Sequence, residues 1–355
     1  MSRYFSKKYE SLEPYVPGEQ PKDRRYIKLN TNESPFPPSP KALKAAEEAA
    51  KSLQLYSDPT ASRLHEAIAA TVGCEKEMIL ATNGSDEILN FAFMAFCDGE
   101  RPAVFPDITY GFYEVFAAIN RVPFACVPLK DDLSIDVSAL CHRKATVFLA
   151  NPNAPTGIYL PLSEIEKIVA TTDGVVVVDE AYIDFGGESA VSLLDSYDNL
   201  LITRTFSKSR SMAGARLGFG IARPELIADL VGMKYATNPY NVNAMTQAAG
   251  IGCLEDEAYT EKNCQAIIEN RAYLTKALAA LGFESTDSRA NFIFTQHPNY
   301  TGAYLYKALR EEGILVRHFA KARISDYLRI TVGSKEECDV LIEALTKLTN
   351  GAMKG

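Results

Sequence analysis

The sequence predicts an α/β fold: a large unit with a mostly parallel sheet flanked by helices, followed by a smaller α+β unit. Three observations predict it. Short apolar runs recur from residue 77 to 222: "EMILAT", "PAVFP", "FACVPL", "TVFLA", "GVVVVDEA", "LLITRTF" and "LGFGIA". Helical periodicity separates several of them, as in "SDEILNFAFMAFC" and "LSEIEKIVATT". After about Asn243 the pattern changes to a long helical stretch from near Glu255 to Leu281, then "NFIFTQ", "GAYLYKALREEG", "ILVR", "YLRITVG" and a last helix. Strands that alternate with helices form a mostly parallel sheet covered on both faces.

Residues 1–40 are Pro-rich with little periodicity and read as an extended arm that joins the small unit. A helix is expected from Ser39–Pro40 through "KALKAAEEAAKSL", with Pro40 suited to its first turn. The large domain is expected over residues 41–245 and the small one over 246–355.

Composition narrows the function. A net charge of −8 argues against a nucleic-acid surface, yet leaves room for a local basic pocket. The seven cysteines form no C-x-x-C pair and read as reduced thiols of a cytoplasmic protein. "MSRYFSKKYESLEPY" lacks the apolar stretch of a signal peptide, and no run approaches a membrane span. With four histidines and no H-E-x-x-H, no metal site is expected.

Ligands of open α/β sheets bind at the carboxyl ends of strands, so the residues after each run matter most. "NGSDE" follows the first, with Ser85 expected as the N-cap of a helix. That turn is either a phosphate site or a plain helix start whose Asp86 and Glu87 satisfy the dipole. "NPNAPTG" reads as a rigid turn. In "GVVVVDEAY", a carboxylate ends a run of four valines, and a buried Asp179 needs a partner. In "TRTFSKSRSMAGARLG", a single lysine, Lys208, sits among hydroxyls and arginines. Cations nearby should depress its pKa and make the amine reactive. Thr205, Ser207 and Arg216 are suitable phosphate ligands. A phosphate cradle, a buried Asp, a Tyr and a reactive lysine, ordered along one sheet, describe a pyridoxal 5'-phosphate pocket. Lys208 would attach the cofactor, and Asp179 would pair with its pyridine nitrogen.

At this point the sequence resembles the fold-type I, pyridoxal-phosphate-dependent aminotransferases, and among them the histidinol-phosphate aminotransferases. "LEPYVPG", "KLNTNESPFPPSP", "LYSDP", "NGSDE", "NPNAPTG", "VVDEAYIDF", "RTFSK", "MAGARLG" and "YLRITVG" carry the resemblance over nearly the whole chain. It implies Lys208 as the cofactor lysine and proton shuttle, Asp179 as partner of the pyridine nitrogen, and Tyr182 as donor to the ring phenolate. Ser85, Asp86, Thr205, Ser207 and Arg216 are implied as phosphate holders. Tyr110 is implied on one ring face and Ala181 on the other. Tyr56 is implied to reach the phosphate of a neighbouring subunit, which makes the protein a homodimer with shared sites. For substrates, Arg329 resembles a carboxylate clamp, Tyr15 and Arg317 resemble groups near a substrate phosphate, and Asn32 is counted with them. Lys321 and Arg323 add positive charge.

Two departures stand out. Many relatives carry "NPNNPTG", whose second Asn of the pair bonds the phenolate; here that position is Ala154. Asn153 or a water compensates, or Tyr182 carries the contact alone. Relatives also often read "NEN" where this chain has Asn32-Glu33-Ser34. The implied reaction converts histidinol phosphate and 2-oxoglutarate to imidazole acetol phosphate and glutamate, a step of histidine biosynthesis. Alternatives on the same fold are an aromatic aminotransferase and a threonine-phosphate decarboxylase; a non-catalytic cofactor-binding regulator is more remote.

Overall fold

Seven of the apolar runs become one sheet in the computed structural model, which describes residues 2–10 and 12–351. After β1 (Ile27–Lys28) come β2 (Ile79–Thr82), β3 (Ala103–Pro106), β4 (Phe124–Val127), β5 (Thr146–Ala150), β6 (Val176–Asp179), β7 (Leu200–Thr205) and β8 (Gly218–Ala222). The order across the sheet is β2-β8-β7-β6-β5-β3-β4. Neighbours run parallel except at β8, which is antiparallel to both β2 and β7.

Period two decides where each side chain goes. Val176 and Val178 of β6 face one core with Leu149, Leu200 and Ile202. Val177 faces the opposite core with Phe148, Leu201 and Phe105. Both faces are covered, which is why these strands read as continuous apolar runs rather than alternating ones. The "FACVPL" run differs: β4 is the sheet edge, and Phe124, Ala125 and Cys126 are exposed.

Helix α1 (Pro40–Ala50) starts at Ser39, whose hydroxyl accepts from the Ala42 amide. After α2 (Ser62–Val72), α3 (Ser85–Phe96) corrects one expectation. Its N-cap is Gly84, not Ser85, which is instead the first helical residue. Gly84 has φ of 79°, and a Cβ there would come within 2.6 Å of the Arg216 guanidinium. Only glycine permits both the turn and that approach.

The C-terminal part begins its long helix at Glu257 and ends it at Ala280. β9 (Glu284–Ser285), β10 (Phe292–Gln296), β11 (Ile314–Leu315), β12 (Arg317–His318) and β13 (Tyr327–Thr331) follow. β12-β13-β10-β9 form an antiparallel sheet. Leu274 and Leu278 of the long helix pack with Ile293, Leu328 and Ile330 in a separate core. β11 pairs in parallel with β1, so the N-terminal arm is stitched to the far end of the chain. Among the described residues no helix is long and apolar enough to cross a membrane.

Candidate active site

The carboxyl ends of β2, β6 and β7 converge on a cavity of about 330 Å³. Ser85 and Asp86 line it from the first turn of α3, and Asp179, Ala181 and Tyr182 from the end of β6. Thr205, Ser207 and Lys208 follow β7, and Arg216 and Tyr110 complete the expected set.

Asp179 is buried and accepts from Thr203 Oγ1 at 3.0 Å and Tyr113 Oη at 3.4 Å. Thr203 pairs with Asp179 in the sheet register, so the bond follows from strand alignment. No cation among the described residues forms an ion pair with Asp179. Burial therefore pushes its pKa up to about 7, against the pull of the Thr203 hydrogen bond, and the Asp86 carboxylate adds to the rise.

Lys208 donates from Nζ to the Thr31 carbonyl at 3.2 Å. Its pKa is lowered to about 8, first by desolvation and then by the Arg329 charge; Glu33 and Asp86 oppose the shift. The direction is the expected one, but the cause differs. Arg204 and Arg210, its sequence neighbours, are occupied elsewhere. Arg204 pairs with Glu180 at 3.4 Å and Asp184 at 3.1 Å, and Arg210 pairs with Glu257 at 2.9 Å. Asp184 in turn accepts from Ser209 at 2.5 Å. These ions brace the segment on either side of Lys208 and leave Arg216 as the arginine of that segment that faces the cavity.

Arg216 pairs with Asp86 at 2.9 Å, and the Tyr110 hydroxyl donates to the same carboxylate at 2.7 Å. The Asp86 side chain is thus spent on a cation and a hydroxyl. What it offers an anion is its backbone N–H in the first turn of α3, where helix amides lack intrahelical partners.

A second cavity of about 190 Å³ adjoins the first, sharing Tyr110 and Ala154. Tyr15, Arg317, Lys321 and Arg329 line it. Arg329 Nη2 donates to the Asn30 carbonyl at 3.1 Å, while its Nε is buried without a partner. Arg317 donates to the carbonyls of Val16 at 2.9 Å and Pro17 at 3.2 Å. Tyr15 stacks on Phe112 with centroids 4.3 Å apart. Arg323 lies outside, bonded to Asp107, Leu129 and Lys130. Tyr56 is also outside both cavities, 83% exposed and stacked on Tyr240.

Two expectations are corrected. Asn153 does not line the cavity: its amide donates to Ile108 O and Thr156 Oγ1, and its oxygen accepts from Thr109. The side chain closes its own loop. Asn32 is not a free substrate ligand either. It is fully buried, and its amide donates to the Tyr182 hydroxyl at 3.0 Å. Sequence reasoning missed Thr31, Glu33, Tyr113 and Thr203. Thr203 was within reach, since aligning "VVVVD" with "LLIT" sets it beside Asp179.

The sheet and its strand-end cavity define a fold-type I transferase. Residues 24–345 match the family of class I and II aminotransferases, and the chain belongs to that family. It is 48% identical to histidinol-phosphate aminotransferase 2 of Dechloromonas aromatica, over 98% of this chain and all of that one. It is 44% identical to histidinol-phosphate aminotransferase of Clostridium botulinum strain Kyoto, over 99% of each chain. Its fold matches the structure of Sinorhizobium meliloti histidinol-phosphate aminotransferase in complex with pyridoxal-5'-phosphate, with a TM-score of 0.87, 25% identity and 99% of both chains covered.

Proposed function

We propose that this aminotransferase holds pyridoxal phosphate in the first cavity and moves an amino group from histidinol phosphate to 2-oxoglutarate. The observation that carries the cofactor assignment is Asp179, a buried carboxylate without a cation, facing one cavity with an amine whose pKa is lowered to about 8. A protonated pyridine nitrogen supplies the charge that Asp179 lacks. The α3 amides, Thr205, Ser207 and Arg216 suit the cofactor phosphate. When bound, the cofactor supplies an electron sink for the substrate carbon that bears the amine.

The chain's own groups do the rest. Lys208, neutral above about pH 8, takes the proton from that carbon and returns it. Tyr182 would donate to the cofactor's ring oxygen, and Tyr110 and Ala181, which line the same cavity, would hold its ring. Arg329 and Arg317, in the adjoining cavity, receive oxyanions. One guanidinium pair serves both a phosphate monoester and the carboxylates of glutamate, since each presents paired oxygens. The 44–48% identity to named histidinol-phosphate aminotransferases supports the choice of substrate. In the same reading the protein is a cytoplasmic homodimer, and the exposed Tyr56 completes the neighbouring subunit's site. Residues 1–40, 41–245 and 246–355 then act as arm, cofactor domain and small domain.

Two measurements test this. Reduction of the cofactor-loaded protein with borohydride should fix the label on Lys208. A panel of amino donors with 2-oxoglutarate should place histidinol phosphate first. Label on another lysine, or a preference for phenylalanine or tyrosine, refutes the respective half of the proposal; carbon dioxide release from O-phosphothreonine marks a decarboxylase instead.

A further inference from the structure

Position 154 lines the first cavity but offers no polar group, because Ala154 has an apolar side chain, and the adjacent Asn153 is committed to Ile108, Thr109 and Thr156. On the cofactor assignment made above, on which this inference rests, Tyr182 alone is left to serve the ring oxygen. A phenol hydroxyl can donate one proton, and its neighbours decide where that proton points.

Asn32 makes the decision. Its backbone N–H donates to Thr331 Oγ1 at 2.9 Å. Thr331 Oγ1, having accepted there, donates its own hydrogen to Asn32 Oδ1 at 3.1 Å. That turns the amide so that Nδ2 faces Tyr182 and donates to its oxygen at 3.0 Å. The Asn32 carbonyl accepts from Asn291 Nδ2 at 3.0 Å, which fixes the backbone as well. The residue sits at φ of 55°, a left-handed conformation that Asn tolerates better than most side chains. With its oxygen receiving the Asn32 amide, the Tyr182 hydroxyl donates to no protein acceptor among the described residues. Its proton is free for the cavity that Tyr182 lines.

We propose that Asn32 is a positioning residue for Tyr182: by donating to the Tyr182 oxygen it directs the hydroxyl proton to the cofactor's ring oxygen. The arm thereby reaches the chemistry through a side chain that touches no substrate.

The absorbance of lysine-bound pyridoxal phosphate titrates with pH, and a hydrogen bond to the ring oxygen favours the ionised form and lowers the midpoint. Asn32→Gly removes the amide and suits the left-handed backbone. In the loaded enzyme it should raise the midpoint by about one pH unit, the size of one lost hydrogen bond. Tyr182→Phe should raise it at least as far, and Asn32→Gly should add nothing in the Tyr182→Phe background. An unmoved midpoint in Asn32→Gly, or a shift of equal size in both backgrounds, overturns the role of Asn32. Should Asn32→Gly fail to fold, Thr331→Val, which frees the amide to turn, gives the same decision in the same two backgrounds. A wild-type protein that takes up no pyridoxal phosphate overturns the cofactor assignment and this role with it, a result distinct from an unmoved midpoint.

Discussion

The two walls of the active site are built in opposite ways. One wall, Asp179, Tyr182, Lys208 and Arg216, comes from a single stretch of chain at the ends of adjacent strands, and its backbone is fixed by the core of the seven-stranded sheet. The other joins the two ends of the chain. Arg317 holds Val16 across a separation of 301 residues, and Asn32 bonds Thr331 across 299. The first wall stands on packed valines; the second stands on hydrogen bonds to an arm whose Tyr15 and Val16 are exposed. On the proposed assignment, the chemistry that needs a fixed amine and a fixed carboxylate sits on the first, and recognition of two different substrates in turn sits on the second.

The comparison can be broken at its strong side first. Lys208→Ala should lower transamination by at least roughly a thousandfold, the scale of a lost general acid–base group, with little change in Tm. Activity within tenfold of wild type would remove the first wall from the chemistry. At the second wall the effects should be smaller and should grow with burial. Arg329→Ala leaves a half-buried position without its charge, near the rings of Phe292 and Phe319. It should cut kcat/KM for histidinol phosphate by roughly a hundredfold, and Arg317→Ala, already satisfied by two arm carbonyls, by about tenfold. Steady-state kinetics with each variant decides the order, and the reverse order would show that the arm contacts are incidental.

The last test reads stability rather than rate, as a pH dependence of the ligand-free protein. Asp179 has a folded pKa of about 7 against 3.8 in the unfolded chain. Between those values the folded state binds the extra proton, so its contribution to stability falls as pH rises and is fully lost above about 7. Lys208, lowered to about 8 from 10.5, acts in the opposite sense: its burial penalty is relieved as pH rises from 8 to 10.5. The Tm of the ligand-free wild type should therefore fall relative to that of Asp179→Asn between pH 5 and 7. Parallel melting curves for the two proteins would mean that Asp179 is solvated.

What the sequence made legible follows the same division. Four valines ending in a carboxylate, and one lysine after the next strand, point to the end of a buried sheet without any structure in hand. Period and composition carry that information because every contact involved is between neighbouring strands. Asn32 carries no such mark. It lies in an arm without periodicity, and its partner Tyr182 is 150 residues away. The role given to Asn153 failed for a related reason: a polar residue in a tight loop has the loop itself as its nearest competitor for hydrogen bonds. The lowered pKa of Lys208 was foreseen in direction, but its cause was not. The neighbouring arginines meet Glu180, Asp184 and Glu257, and only folding could pair them.

The stitch between β1 and β11 also sets a timetable. The chain is made from its N-terminus, so β1 waits, unpaired, while the whole seven-stranded sheet is synthesised and can pack. Lys208 and Asp179 exist by then, but Thr331 and Arg329 do not. A growing or truncated chain can thus own the lysine and the carboxylate and still lack Arg329, whose charge helps to lower the pKa of that lysine. Closure of the second wall has to wait until the last third of the chain is released and its strand can pair with the arm. The slow step of maturation should be this long-range closure, not formation of the sheet.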